Sequence, residues 1–164
     1  MKKITIFIFL VLVVFTLQAV LIGGVQTRWS KPDLLLILLV LWAWRNGWKR
    51  GLLAGFAIGL LEDIFFFPML GLRAFSLALI GFLVGETRER IYHENVIFLL
   101  LMMGVVTVLN GVILSLWLLI FHFSSSFLGK LIPLIFPAFL YNCLLALPVF
   151  LVEETFAKRS SHFK

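Results

Sequence analysis

The chain has 164 residues, 62% of them hydrophobic and 13% charged, with a mean hydropathy of +1.12. So little polar surface excludes a soluble globular protein of this length and leaves no room for a separate soluble domain. The net charge of +6 would suggest nucleic acid in a soluble chain, but here the cations fall between apolar segments and read as membrane orientation, with no nucleic-acid partner expected.

In chain order, Met1-Lys2-Lys3 precede an apolar run, and a first transmembrane helix is expected over residues 4–22. The run is longer than a signal-peptide core, and Leu17 sits at −3 of the one tempting cleavage point after Ala19, so the segment is read as retained. Ser30-Lys31-Pro32-Asp33 then open a second helix over 32–44, with Ser30 as its cap, Pro32 in the first turn and Asp33 complementing the helix dipole. That helix is short for a bilayer core of ~30 Å. Residues 44–50, Trp-Arg-Asn-Gly-Trp-Lys-Arg, make a cationic turn flanked by tryptophans, as at a cytoplasmic interface. A third helix spans 51–66, and Pro68 and Gly71 separate it from a fourth over 74–87. The break is apolar through Phe65-Phe66-Phe67, and irregular backbone at membrane depth persists only where protein covers it or a cavity faces it. A polar stretch at 86–95 leads to a fifth helix over 96–121. The sixth covers 131–152, with Pro133, Pro137 and Pro148 expected to bend it.

These elements make one all-α transmembrane domain of six helices over residues 1–164, with both termini on one side of the membrane. Ten of the 14 Lys and Arg residues fall on that side, in the N-terminus, the 45–50 turn, the 86–95 loop and the tail. The bias places both termini in the cytoplasm and puts Pro32, Asp33, Asp63 and Arg73 toward the opposite face.

The third helix carries the strongest pattern. Gly51, Gly55 and Gly59 recur at every fourth position, and the next step lands on Asp63. Four residues overshoot one helical turn by ~40°, so the positions form a shallow stripe. A glycine stripe lets another backbone approach closely, whether that of a neighbouring helix of this chain or of a partner. Gly81 and Gly85 form a second such pair. A carboxylate at the end of the stripe must face protein or water. Glu62 and Asp63 are adjacent and point ~100° apart on a helix, so they do not jointly flank one bond as an acid–base pair. Arg73, just beyond the break, is positioned to reach back to either carboxylate and pin the 65–72 turn. Asn110 and Asn142, each within an apolar helix, read as interhelical hydrogen-bonding amides.

Enzymatic and cofactor chemistry finds no carrier. His93, His122 and His162 are scattered over different loops, Cys143 is a lone packing thiol, and no metal or cofactor is expected. The glycines lack a following Lys-Ser/Thr, so they make no phosphate-binding loop.

Several of these features occur together in a known family. Lys2-Lys3 precede one long helix, Pro32-Asp33-Leu34 open an aliphatic one, and Gly51, Gly55 and Gly59 lead to Asp63. Gly71-Leu72 follow a short break, and Gly81 and Gly85 end a helix at a charged loop. The pattern resembles the MreD family of rod shape-determining membrane proteins. Recognisable motifs cover about residues 32–90, and Glu62 beside Asp63 and the Phe65-Phe66-Phe67 run depart from the family pattern. The resemblance implies a non-enzymatic scaffold in the bacterial cytoplasmic (inner) membrane, within the elongation machinery that builds lateral peptidoglycan and sets cell shape. Its implied partner is an MreC-like protein with a single membrane span. Through that partner it would connect to the MreB filament and to the peptidoglycan glycosyltransferase and transpeptidase. The implied six-helix fold is similar to the substrate-binding subunits of energy-coupling-factor vitamin transporters. Such a transporter subunit is the alternative reading, with Asp63 and the 65–73 break lining a pocket. Against it, the first helix lacks the repeated small residues those subunits use for docking, having Ala19 alone.

Overall fold

The computed structural model describes the backbone of residues 2–24, 32–66, 70–90, 96–120 and 127–161. Six α-helices are found there: α1 (Lys2–Gly24), α2 (Leu34–Asn46), α3 (Trp48–Phe66), α4 (Leu72–Arg90), α5 (Val96–Ile120) and α6 (Phe127–Ser161). The histidines and Ser30 lie outside the described residues.

α2 is the element around which the others pack. It is 13 residues long, about 20 Å, and touches every other helix. Leu35, Leu36, Leu39, Val40 and Ala43 are fully buried. A helix so apolar on every side is stable only when other helices surround it. The expected Ser30 cap is corrected by the structure. The N-cap is Asp33, whose carboxylate accepts from the Leu36 N–H at 2.9 Å, and Pro32 precedes the helix instead of occupying its first turn. A carboxylate at this position satisfies one of the free N–H groups of the first turn.

One residue, Gly47, separates α2 from α3. Its φ of 81° lies in the left-handed region that glycine enters without strain. Its N–H returns to the Ala43 carbonyl at 2.9 Å, closing α2. α3 therefore starts at Trp48, three residues before the expected Gly51, because the turn needs only one residue.

α3 and α4 form the most extensive helix pair. The glycine stripe lies in their contact, facing α4. A Cβ on Gly55 would meet the Leu77 carbonyl carbon at 2.6 Å and the Ala78 nitrogen at 2.9 Å. A Cβ on Gly59 would meet the Ala74 Cα at 2.5 Å, and Gly51 faces the backbone of Gly81. Gly85 packs on the backbone of Gly47 and Trp48 at the other end. Both glycine series thus serve one backbone-to-backbone contact within the chain.

α6 runs continuously from Phe127 to Ser161, through Pro133, Pro137 and Pro148, and exceeds the expected 131–152 at both ends. Asn142, Ala146 and Phe150, spaced by four, form its buried face, while Pro148 is exposed. Val96–Leu116 and Ile135–Val152 are long and apolar enough to cross a bilayer; Ile4–Val20 and Leu34–Asn46 are shorter apolar helices.

The distribution of polarity is inverted relative to a water-soluble protein. Ile6, Leu53, Ile64, Leu101 and Leu144 are exposed, whereas Asp33, Glu62, Asp63, Arg73, Asn110 and Asn142 are buried. Apolar surface on this scale fits a chain whose outer solvent is lipid.

The glycine contact makes a specific prediction. Gly55→Ala gains up to about 1 kcal/mol of helix propensity, yet the added methyl meets backbone that cannot rotate away. It should therefore destabilise the protein, by about 1–3 kcal/mol or more. Thermal melting in detergent, followed by loss of the monodisperse species, reads this directly. Ala57→Leu on the exposed side of α3 should melt as wild type.

A buried charge cluster as candidate functional site

The centre of the polar interior is Arg73, on the first turn of α4. Its Nε donates to Glu62 Oε2 on α3 at 2.6 Å, its Nη2 to Asp33 Oδ2 at the start of α2, and its Nη1 to Asn110 Oδ1 on α5 at 3.3 Å. All four side chains are buried. The planar fork of guanidinium donors lets one side chain address acceptors on three different helices, which a lysine ammonium could not span.

Asp63 does something different from the pairing that its nearness to Arg73 suggests. Its carboxylate accepts backbone N–H groups: Arg73 at 3.0 Å on Oδ1, and Gly71 at 2.9 Å and Ala74 at 3.0 Å on Oδ2. An acid from α3 thus caps the N-terminus of α4, where free N–H groups and the helix dipole favour negative charge. The turn residue Gly71 has φ 103°, a conformation suited to glycine, and its Phe75 partner continues the capping pattern with an N–H bond to the Gly71 carbonyl at 2.9 Å. Glu62 holds the Arg73 side chain while Asp63 holds the Arg73 backbone, so the ~100° between neighbouring residues separates two tasks.

Further groups complete the cluster. Gln18 of α1 accepts from the Leu35 N–H at 3.3 Å and donates to Glu62 Oε1 at 3.2 Å. Asn142 of α6 accepts from the Asp33 N–H at 2.8 Å and donates to Thr107 at 3.2 Å, whose hydroxyl donates to the Met103 carbonyl at 2.8 Å. Every helix therefore contributes a side chain. Among the site residues expected from sequence, Asp33, Glu62, Asp63, Arg73, Asn110 and Asn142 meet here; Pro32 flanks the cluster in sequence, and the glycines Gly51, Gly55, Gly59, Gly81 and Gly85 line the α3–α4 contact. Thr107 was not singled out by sequence. Its signal was its spacing, three residues before Asn110 on one face of an apolar helix. Gln18 carries a similar signal, an amide within the apolar run of α1.

The oxygens of Glu62 and Asp63 all accept hydrogen bonds from protein donors, and Asp33 caps α2 while receiving Arg73. Among the described residues no group of three His, Cys, Asp or Glu side chains is arranged to hold a metal ion. Chemically, the cluster ties six helices together at the ends of α2, α3 and α4.

A helical chain with an apolar exterior and a closed polar interior defines a helical membrane protein. The family model described as rod shape-determining protein MreD matches residues 1–155, and the chain belongs to that family. Comparison with curated proteins and with solved structures returned no match.

Arg73→Ala would leave Asp33 and Glu62 buried without their cation, a loss of about 3–5 kcal/mol for a broken buried pair. Strongly reduced accumulation in membranes and a much lower melting temperature are expected, with little recovery in Arg73→Lys; a wild-type melt for either would refute the dependence. Gln18→Leu leaves the Leu35 N–H and one Glu62 oxygen unpaired and should lower stability by about 1–3 kcal/mol. Leu17→Ala on the exposed neighbour should change the same melt far less.

Proposed function

We propose that this chain is a non-enzymatic scaffold subunit of the bacterial elongation complex, held in the cytoplasmic membrane by six spanning helices with both termini in the cytoplasm. It associates with an MreC-like single-span protein, and through it with the MreB filament and the peptidoglycan glycosyltransferase and transpeptidase. The family match over residues 1–155 carries this reading, since the family is one of rod shape determination. Two structural features support it. The described helices leave broad apolar faces outward, on α1, α5 and α6 above all. The buried charged groups are engaged with one another, so a scaffold role asks nothing of them beyond holding the helices. Because α4 occupies the glycine stripe, a partner helix has to meet another face. A fold related to the transporter substrate-binding subunits is part of the proposal. Ligand transport is not, because the polar groups at the break are directed to protein donors.

Affinity purification of the tagged chain from its native membrane, with mass spectrometry of proteins and small molecules, tests the reading. Recovery of a single-span membrane protein together with wall-synthesis enzymes is the expected result. Co-purifying ATPase subunits, or a stoichiometric small molecule, would overturn it in favour of transport.

A further inference from the structure

α6 turns one narrow face to its own bundle, through Asn142, Ala146 and Phe150. Asn142 accepts from the Asp33 N–H at 2.8 Å and donates to Thr107 at 3.2 Å, and these bonds fix the rotation of α6 about its axis. Tyr141, the preceding residue, is turned ~100° away and is 49% exposed. It stands ten residues beyond Leu131 and eleven before Val152, at the middle of the apolar run between Lys130 and Glu153. At the helical rise that is about 15 Å from either end. Tyrosine on a membrane helix is favoured at the interface, with its hydroxyl among the headgroups. At mid-span the hydroxyl meets hydrocarbon, which offers it no hydrogen bond. It has no hydrogen-bond partner among the described residues. Threonines away from the buried cluster avoid this position: Thr16 donates to the Leu12 carbonyl at 2.8 Å and Thr87 to the Leu83 carbonyl at 2.7 Å. A short hydroxyl folds back onto its own helix in that way. The Tyr141 hydroxyl, at the far end of a rigid ring, does not.

The residues around it say what meets it. Tyr141, Leu144, Pro148 and Leu151 follow at steps of three, four and three, and all four are exposed. That spacing suits the seam of a left-handed helix pair. Where the two helices of such a pair are parallel, residues at the same seam position face each other across the axis. Two copies of this chain inserted the same way carry Tyr141 at the same depth, and a two-fold axis along the membrane normal brings one onto the other. A hydroxyl both donates and accepts, so two tyrosines satisfy each other. A foreign helix needs a polar group at that one depth, and a lipid tail has none. We propose that this face of α6 docks a second copy of the chain, α6 against α6, with the two Tyr141 hydroxyls hydrogen-bonded in the seam. The pair rests on the membrane-spanning reading of α6 and is independent of the proposed protein partners.

The test uses the purified full chain, labelled at its N-terminus with donor or acceptor dye and reconstituted into phosphatidylcholine vesicles. Energy transfer above that of random mixing, falling as lipid is added, is the expected result. Y141F removes the hydroxyl alone and should weaken association roughly three- to tenfold, with the melting temperature unchanged. A hydroxyl that served only the fold would shift the melt instead. In a Cys143→Ser background, Leu144→Cys should give a disulfide-linked dimer on mild oxidation, and Leu101→Cys on the exposed face of α5 should not. Should Y141F fold poorly, the cross-link carries the test alone. Wild type that transfers no more than random mixing would overturn the pair and leave the face to a foreign helix or to lipid. Folded Y141F that associates like wild type, or L101C that cross-links as readily as L144C, would also overturn it. None of these outcomes bears on partner recovery from native membranes, so the two proposals fail separately.

Discussion

Arg73 is a permanent cation held away from solvent, and the rest of the bundle is arranged so that its charge is met. An isolated ion in a medium of low dielectric is costly by several kcal/mol even after relaxation, and it persists only where acceptors converge on it with good geometry. Those acceptors come from α2, α3 and α5, so the ion cannot be satisfied until these helices have reached their final places. The converse also holds. Asp33, Glu62 and Asp63 bring three carboxylates to the same region, more than one guanidinium balances. The N-termini of α2 and α4, each equivalent to roughly half a positive charge, offset part of the difference. Asp33 and Asp63 sit on those termini, and Glu62 is left as the direct partner of Arg73. Helix ends and side-chain ions thus complete one electrostatic unit.

Packing and electrostatics are coupled through the glycine stripe. Gly59 lies one turn before Asp63, and its missing side chain admits the backbone of Arg73 and Ala74. Those are two of the residues whose N–H groups Asp63 accepts. A bulkier residue at 59 would push the start of α4 out of reach of the carboxylate, although it touches no charged group. The regular four-residue step that ends on Asp63 therefore reflects one requirement, that α4 begin against the last turn of α3.

This coupling explains what the sequence disclosed. The stripe, its carboxylate and the nearby arginine lie within 23 residues of each other, so helical spacing and one short break were enough to bring them together. The division of labour between Glu62 and Asp63 was only half visible: spacing showed that they diverge, but not that one would take the guanidinium and the other the backbone. The links from Arg73 to Asp33 and Asn110, from Gln18 to Glu62, and from Asn142 to Asp33 cross long sequence separations, up to 109 residues. Nothing local in a chain dictates such contacts; they depend on how helices assemble around α2. The cap of that helix was misplaced for a related reason. Ser30 and Asp33 both have capping chemistry, and the choice of Asp33 follows from its second role as a partner of Arg73 and Asn142.

The two ends of the α3–α4 pair differ in a way that bears on how such a chain acts. At one end, the acids and the cation are buried and engaged with protein partners, which makes it a point of rigidity. At the other, glycine packing again brings α3 and α4 into contact, and Arg45, Lys49, Arg50 and Arg88 stay exposed beside it. Opposite charges that meet inside a bundle with good geometry fix the places of the helices that carry them. The described helices offer two kinds of surface, apolar faces and a charged rim. Rigidity at the buried end is what allows both to be presented in a fixed geometry, because a rim formed by three chain segments keeps its shape only if the helices behind it do not slide.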